Sequence, residues 1–152
     1  MTKNLKKHPV IVIALEHYNP LGALRTLGEN GVEPIFIGIK YRVKIASPCK
    51  YIKKLYQVDS LEEAYDTVLN EYGNYAAETG YKPILIFSDD DVFAPYDENY
   101  EELKEKFILF NAGENGRVSK YMFKHEIQNC AKRHGIPVLE SQVVNVGEIP
   151  DG

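Results

Sequence analysis

The apolar pattern is densest between Pro9 and Ile39. Val10 to Leu15 is an unbroken apolar run, as a strand requires when both faces of a parallel sheet are covered. Behind it, Asn19 suits a helix N-cap and Pro20 the first helical position. Leu21, Leu24, Leu27 and Gly28 recur at helical spacing, and Gly31 stands where a left-handed residue closes a helix before a second strand, Pro34 to Ile39. The expectation is a βαβ unit.

The pattern then repeats with variations. Lys54 to Val58 predicts a short strand. Ser60 and Glu63 form a capping box, and a long helix follows with Leu61, Ala64, Tyr65, Val68, Leu69, Tyr72 and Ala76 on one face until Gly80. Pro83 to Phe87 is the next buried strand, Asn99 to Lys106 a small charged helix, and Phe107 to Phe110 a further strand before the Gly113 and Gly116 turn. A second long helix, capped by Ser119 and apolar at Met122, Phe123, Ile127, Cys130 and Ala131, ends at Gly135-Ile136-Pro137. Val138 to Val146 reads as a last strand or as chain leaving the domain. Apolar runs alternating with capped amphipathic segments define the class: α/β, a three-layer Rossmann-like fold with a mainly parallel sheet and helices on both faces.

Composition narrows the function. The chain has 152 residues, enough for one domain that buries roughly 70% of its unfolded surface. No apolar run approaches the ~20 residues that span a bilayer. Lys3, Lys6 and Lys7 ahead of the first apolar run imitate a signal peptide, but no small-residue cleavage site follows, so residues 1–8 are expected to be a tag-like or disordered start. Cys49 and Cys130 are too few for a disulfide framework and lack zinc spacing, which points to a reducing cytoplasm. Eighteen basic and 22 acidic side chains give a net charge of -4, which argues against a general nucleic-acid binder.

Candidate chemistry lies after the strands, on the rim where open α/β sheets hold ligands. The first turn, Glu16-His17-Tyr18-Asn19-Pro20-Leu21-Gly22, has a single late glycine, so backbone amides cannot cradle a pyrophosphate and a dinucleotide is disfavoured. Glu16, His17, Tyr18 and Asn19 are candidates for substrate binding there. Lys40, Arg42, Lys44, Lys50, Lys53 and Lys54, with Tyr41 and Tyr51 interleaved, form either an anion-attracting cluster or a solvated face. Ser88-Asp89-Asp90-Asp91 follows the third buried strand, with Ser88 or Asp89 as N-cap of a short helix, or with Ser88, Asp89 and Asp91 binding substrate or metal. Arg25, inside the first helix, is a further substrate candidate. His125 and His134 lack metal spacing and read as solvated.

Six segments in this order carry a resemblance: Pro9 to Val12 followed by Leu21 to Gly28, Ala46 to Tyr51, Ile86 to Asp90, Tyr121 to Lys124, and Ala131 to Pro137. Together they resemble the N-terminal, Rossmann-like (pre-ATP-grasp) domain of ATP-grasp carboxylate-amine ligases, similar to D-aspartate ligase. The resemblance implies ATP and magnesium as cofactors of the parent enzyme. It also implies activation of a carboxylate as an acyl phosphate and attack by an amine to form an amide or peptide bond. In that family an Asp-Lys pair opens the helix leading into the nucleotide domain, and its lysine contacts ATP phosphates. Lys124 matches the lysine, while Phe123 stands in place of the acid. On this likeness residues 9–140 are the domain and residues 141–152 start a linker into an ATP-grasp domain, so the sequence is expected to be a fragment without ligase activity of its own. Its partner is then a small carboxylate or an amino acid, with a homodimer open. Two other readings stand beside it: a nucleotide-sugar transferase in which Asp89 and Asp91 hold a divalent metal, and a non-catalytic module for a small anion or a partner chain.

Overall fold

The computed structural model describes residues 7–139. Expectations placed on residues 1–6 and on 140–152, including the linker and most of the Val138 to Val146 segment, fall outside them. In chain order the strands are β1 (Val10–Leu15), β2 (Ile35–Ile39), β3 (Lys54–Val58) and β4 (Ile84–Phe87). The helices are α1 (Tyr18–Glu29), α2 (Leu61–Tyr72), α3 (Tyr75–Thr79), α4 (Asp90–Glu98), α5 (Tyr100–Leu103), α6 (Arg117–Lys120) and α7 (Lys124–Arg133).

β1 is central because Ile11, Val12, Ile13 and Ala14 lose all solvent exposure. Val12 stands opposite Phe36 of β2 on one side and Ile86 of β4 on the other, and every pairing is parallel. The sheet order is β3-β2-β1-β4. Alternation along the strands divides the core. Ile11, Ile13, Ile35, Ile37 and Val58 pack with Ala64 and Val68 of α2 and with Val92 and Tyr96 of α4. Val12, Ala14 and Phe36 face the other way, towards Leu24 of α1 and Ala46. The result is the expected α/β, three-layer Rossmann-like fold with a parallel sheet and helices on both faces. The chain runs outward from β1 to β3 and then returns to pair β4 with the opposite side of β1. The switch point of this sheet therefore lies between β1 and β4, and ligands favour such crevices at the carboxyl ends of the strands.

Local departures from expectation have physical causes. α1 starts ahead of Asn19: His17 is its N-cap, extended in backbone, and accepts the Asn19 amide on Nδ1 at 3.2 Å. Pro20 thus lies within the first turn, where a missing N–H costs nothing because no carbonyl awaits it. The far end is as expected. Gly31 has φ +78°, its amide bonds the Gly28 carbonyl and that of Val32 bonds Leu27, the two bonds of a Schellman close.

The long helix expected to reach Gly80 divides into α2 and α3 at Gly73-Asn74, a pair of poor helix formers. Ser60 caps α2 by accepting the Glu63 amide, but the Glu63 carboxylate takes the amide of Asp59 rather than that of Ser60. Phe107 to Phe110 is reduced to one parallel bridge, Ile84 to Ile108, because the chain is still turning at Phe107, whose amide bonds Leu103. The last helix also divides. Ser119 lies inside α6 instead of capping a longer helix, and its amide donates to buried Asp97 at 2.8 Å. α7 starts after Phe123 and buries no residue, so the expected apolar side at Phe123 and Ile127 stands in solvent. Among the described residues no helix is long and apolar enough to cross a membrane.

Candidate functional site

The β1–β4 pairing ends at Ile13 and Phe87, which leaves the Leu15 amide beyond the last strand partner on that side. Asp89 fills the gap. It occupies the N-cap position of α4, yet its carboxylate makes no cap bond. Instead Oδ2 accepts the Leu15 amide at 3.1 Å and the Ser88 hydroxyl at 2.9 Å, and Oδ1 bonds Nε2 of His17. Because His17 Nδ1 already accepts from Asn19, the neutral ring carries its proton on Nε2 and donates it to Asp89. Both nitrogens of His17 and both oxygens of Asp89 are thereby engaged, and the β1–α1 and β4–α4 turns are tied together across the switch point.

Glu16 holds the third loop. It is 2% exposed, and its Oε2 accepts three consecutive amides, from Ile45, Ala46 and Ser47, at 3.2, 3.0 and 3.2 Å. Such a nest of amides is an anion receptor built from backbone, and here the anion is supplied internally. Oε1 has no partner among the described residues, and a Cβ on Gly38 would stand 2.9 Å from the Phe36 ring and 3.0 Å from Oε1, so glycine there leaves room for both.

Two clefts flank this centre. One, of about 400 Å³, has Ser88, Asp89 and Asp90 at its polar end and Phe87, Phe93, Phe110, Val118 and Met122 among its apolar walls. Phe93 stacks at an angle on Phe87 and on Phe110, with ring centres 5.2 and 6.3 Å apart. Beneath it Tyr96 packs on Phe87, and burial pushes its phenol well above the ordinary tyrosine range. The other cleft, of about 300 Å³, lies along α1 and is lined by Leu21, Arg25, Ile45, Pro48, Cys49, Lys50 and Tyr51.

The structure therefore sorts the sequence candidates. His17, Ser88 and Asp89 meet at the switch point, with Glu16 beside them facing inward. Arg25 and Lys50 share the separate cleft on α1. Tyr18 (76% exposed) and Asn19 open α1, Asp91 is exposed in the first turn of α4, and Lys124 is the exposed first residue of α7, two positions after the cleft residue Met122. Asp97 has no counterpart among those candidates. Fully buried, it accepts from Asn111 Nδ2 and from the Ser119 amide, both at 2.8 Å, and binds the 111–119 segment to α4. An acid within an amphipathic helix gives no local hint of such a role.

No family model matches the chain, and no curated protein matches it.

Proposed function

We propose that this chain is the substrate-holding N-terminal domain of an ATP-dependent carboxylate-amine ligase that works through an acyl phosphate. The observation that carries the reading is the His17–Asp89 link at the switch point, beside an open cleft whose polar end bears Ser88, Asp89 and Asp90. An ammonium group belongs at that acidic end, and the apolar walls take the body of an amino-acid substrate. His17 supports the site indirectly: its Nε2–H donates to the Asp89 carboxylate and fixes its orientation. The cleft reaches Met122, which puts its far end next to the start of α7 and Lys124.

ATP with magnesium supplies the phosphoryl group in this chemistry. Toward it the described residues offer Lys124, an exposed ammonium suited to a phosphate oxygen. Among them no cluster of three His, Cys, Asp or Glu side chains is placed to hold a metal. The 152-residue chain alone is thus expected to bind magnesium-ATP weakly in a calorimetric titration. A micromolar constant, about -8 kcal/mol, would contradict this assignment of the phosphate contacts.

The direct test uses the protein as its gene encodes it, assayed for ADP release that depends on both a carboxylate and an amine across an amino-acid panel. Ser88→Ala and Asp89→Asn should raise the KM for one of those substrates and leave that for ATP nearly unchanged. Equal losses for ATP, or unchanged kinetics in a folded variant, defeat the proposal.

A further inference from the structure

The cleft along α1 is a candidate site in its own right and owes nothing to the switch point. Its wall is continuous: Leu21 and Arg25 lie one turn apart on α1, and Ile45 and Pro48 to Tyr51 close the opposite side. Of its seven lining residues two are cations and none is an acid, in a chain whose net charge is -4. Three lysines in the surrounding strands and loops do have polar partners. Lys40 pairs with Asp59 at 3.2 Å, Lys44 donates to Gln57 at 2.6 Å and Lys54 pairs with Glu71 at 3.0 Å. Arg25 and Lys50 are bonded to no described carboxylate, Glu29 one turn beyond Arg25 included. The Lys50 ammonium lies over the Tyr51 ring, 4.9 Å from its centre, which places its charge at the cleft wall.

The loop that bears Lys50 is also held in shape. Glu16 clamps its start through three amides, and Tyr51 rests on α1 where Gly28 leaves room, a Cβ there lying 2.1 Å from the ring. The cleft thus offers an apolar wall with two exposed cations, Arg25 and Lys50, at its rim, and neither has a carboxylate partner among the described residues.

We infer that this cleft binds a small oxyanion-bearing molecule, with the planar Arg25 fork and the Lys50 ammonium on the anionic group and with Leu21, Ile45, Pro48 and Tyr51 around an apolar or aromatic body. Phosphate and carboxylate share the required chemistry, since the Arg fork matches either.

Phenyl phosphate, 3-phenylpropionate and inorganic phosphate, each titrated into the 152-residue chain and followed by amide chemical shifts, distinguish the sources. Saturable shifts at residues 21–28 and 45–51 are expected with one of the two aromatic anions, tighter than with inorganic phosphate. Arg25→Gln and Lys50→Gln should each weaken binding about tenfold, whereas Lys44→Gln, a lysine of the same loop outside the cleft, should leave it unchanged. Bound anion should also slow alkylation of Cys49 without slowing that of Cys130 on α7. Linear, unsaturated shifts for all three probes, or equal loss from all three substitutions in folded variants, would overturn the site and leave these cations as part of a diffuse charged surface.

Discussion

His17 and Asp89, 72 residues apart in sequence, are hydrogen-bonded across the gap between the first and last strands of the sheet. The bond does two tasks: it locks the N-cap of α1 in place, and it turns the acid that opens α4 away from its own helix. Removing Asp89 leaves the Leu15 amide, the Ser88 hydroxyl and the His17 ring without their acceptor.

Asp89→Ala is therefore expected to destabilise the domain by about 2 to 3 kcal/mol in urea unfolding, and Asp89→Asn by less, because an amide oxygen still serves Leu15. His17→Ala should cost about 1 kcal/mol through the lost cap. If the two side chains act on each other, the double substitution costs less than the separate losses combined, by at least about 0.5 kcal/mol. Strict additivity would mean that the link contributes nothing.

Glu16 offers a second test of how the rim is assembled. With Glu16→Ala the amides of Ile45, Ala46 and Ser47 lose their common acceptor in a buried setting, at a cost of about 3 kcal/mol, on the order of one buried charge-assisted group. Those three amides should exchange hydrogen far faster while the β1 amides keep most of their protection. Glu16→Gln retains one oxygen for the nest and should exchange more slowly than the alanine variant. Unchanged exchange at 45–47 after Glu16→Ala would show that the turn holds itself.

These two side chains mark where the sequence stops being legible. The parallel sheet is visible in the apolar runs because burial on both faces leaves no polar position to interrupt them, as in Ile11 to Ala14. The Gly31 close is visible because only a left-handed residue satisfies it. The crossing of Asp89 to Leu15, the nest around Glu16 and the hold of Asp97 on Ser119 are bonds from a charged side chain to the backbone of a remote segment, and neither end has a local signature. Helix breaks were misjudged for a related reason. Apolar spacing continues from Tyr72 to Ala76 and from Met122 and Phe123 to Ile127, while the backbone breaks at Gly73-Asn74 and between Lys120 and Lys124, and spacing alone registers only the side chains. Of the rim candidates, strand ends placed His17, Ser88 and Asp89 in one neighbourhood, but only the three-dimensional fold assigns Arg25 and Lys50 to a different cleft.

The outer strand carries a pH response. The Tyr56 hydroxyl donates to Glu71 at 2.5 Å and Lys54 approaches the same oxygen at 3.0 Å. First the hydroxyl and then the lysine hold the Glu71 carboxyl below its ordinary value of 4.5, so its contribution is complete above that value and is lost as pH falls through the lowered one. Lys54 is raised above 10.5, chiefly by Tyr56 and next by Glu71, and its share is lost only as pH rises through the raised value. Thermal unfolding of the native chain and of Glu71→Gln should differ at pH 7 and converge as the solution is taken below pH ~4. Because the group is exposed, high salt should narrow the pH 7 gap. A gap that persists in acid would place the effect in packing.

The close contact between Gly28 and Tyr51 reverses a usual expectation. In an exposed helix interior, glycine to alanine gains up to ~1 kcal/mol of helix propensity. At Gly28 the added Cβ would stand 2.1 Å from Tyr51 Cγ and 2.4 Å from its Cβ, so either the ring or α1 must move. Overpacking of this kind costs about 1 to 3 kcal/mol, which outweighs the propensity gain, and Gly28→Ala should lower the unfolding midpoint. The partner substitution identifies the cause. Tyr51→Ala in the native background removes packing between α1 and the 45–52 loop and should destabilise; in the Gly28→Ala background it also relieves the clash and should cost markedly less, or raise the midpoint. A Gly28→Ala variant more stable than the native chain, with Tyr51→Ala equally costly in both backgrounds, would mean that ring and helix are not pressed together as the structure has them.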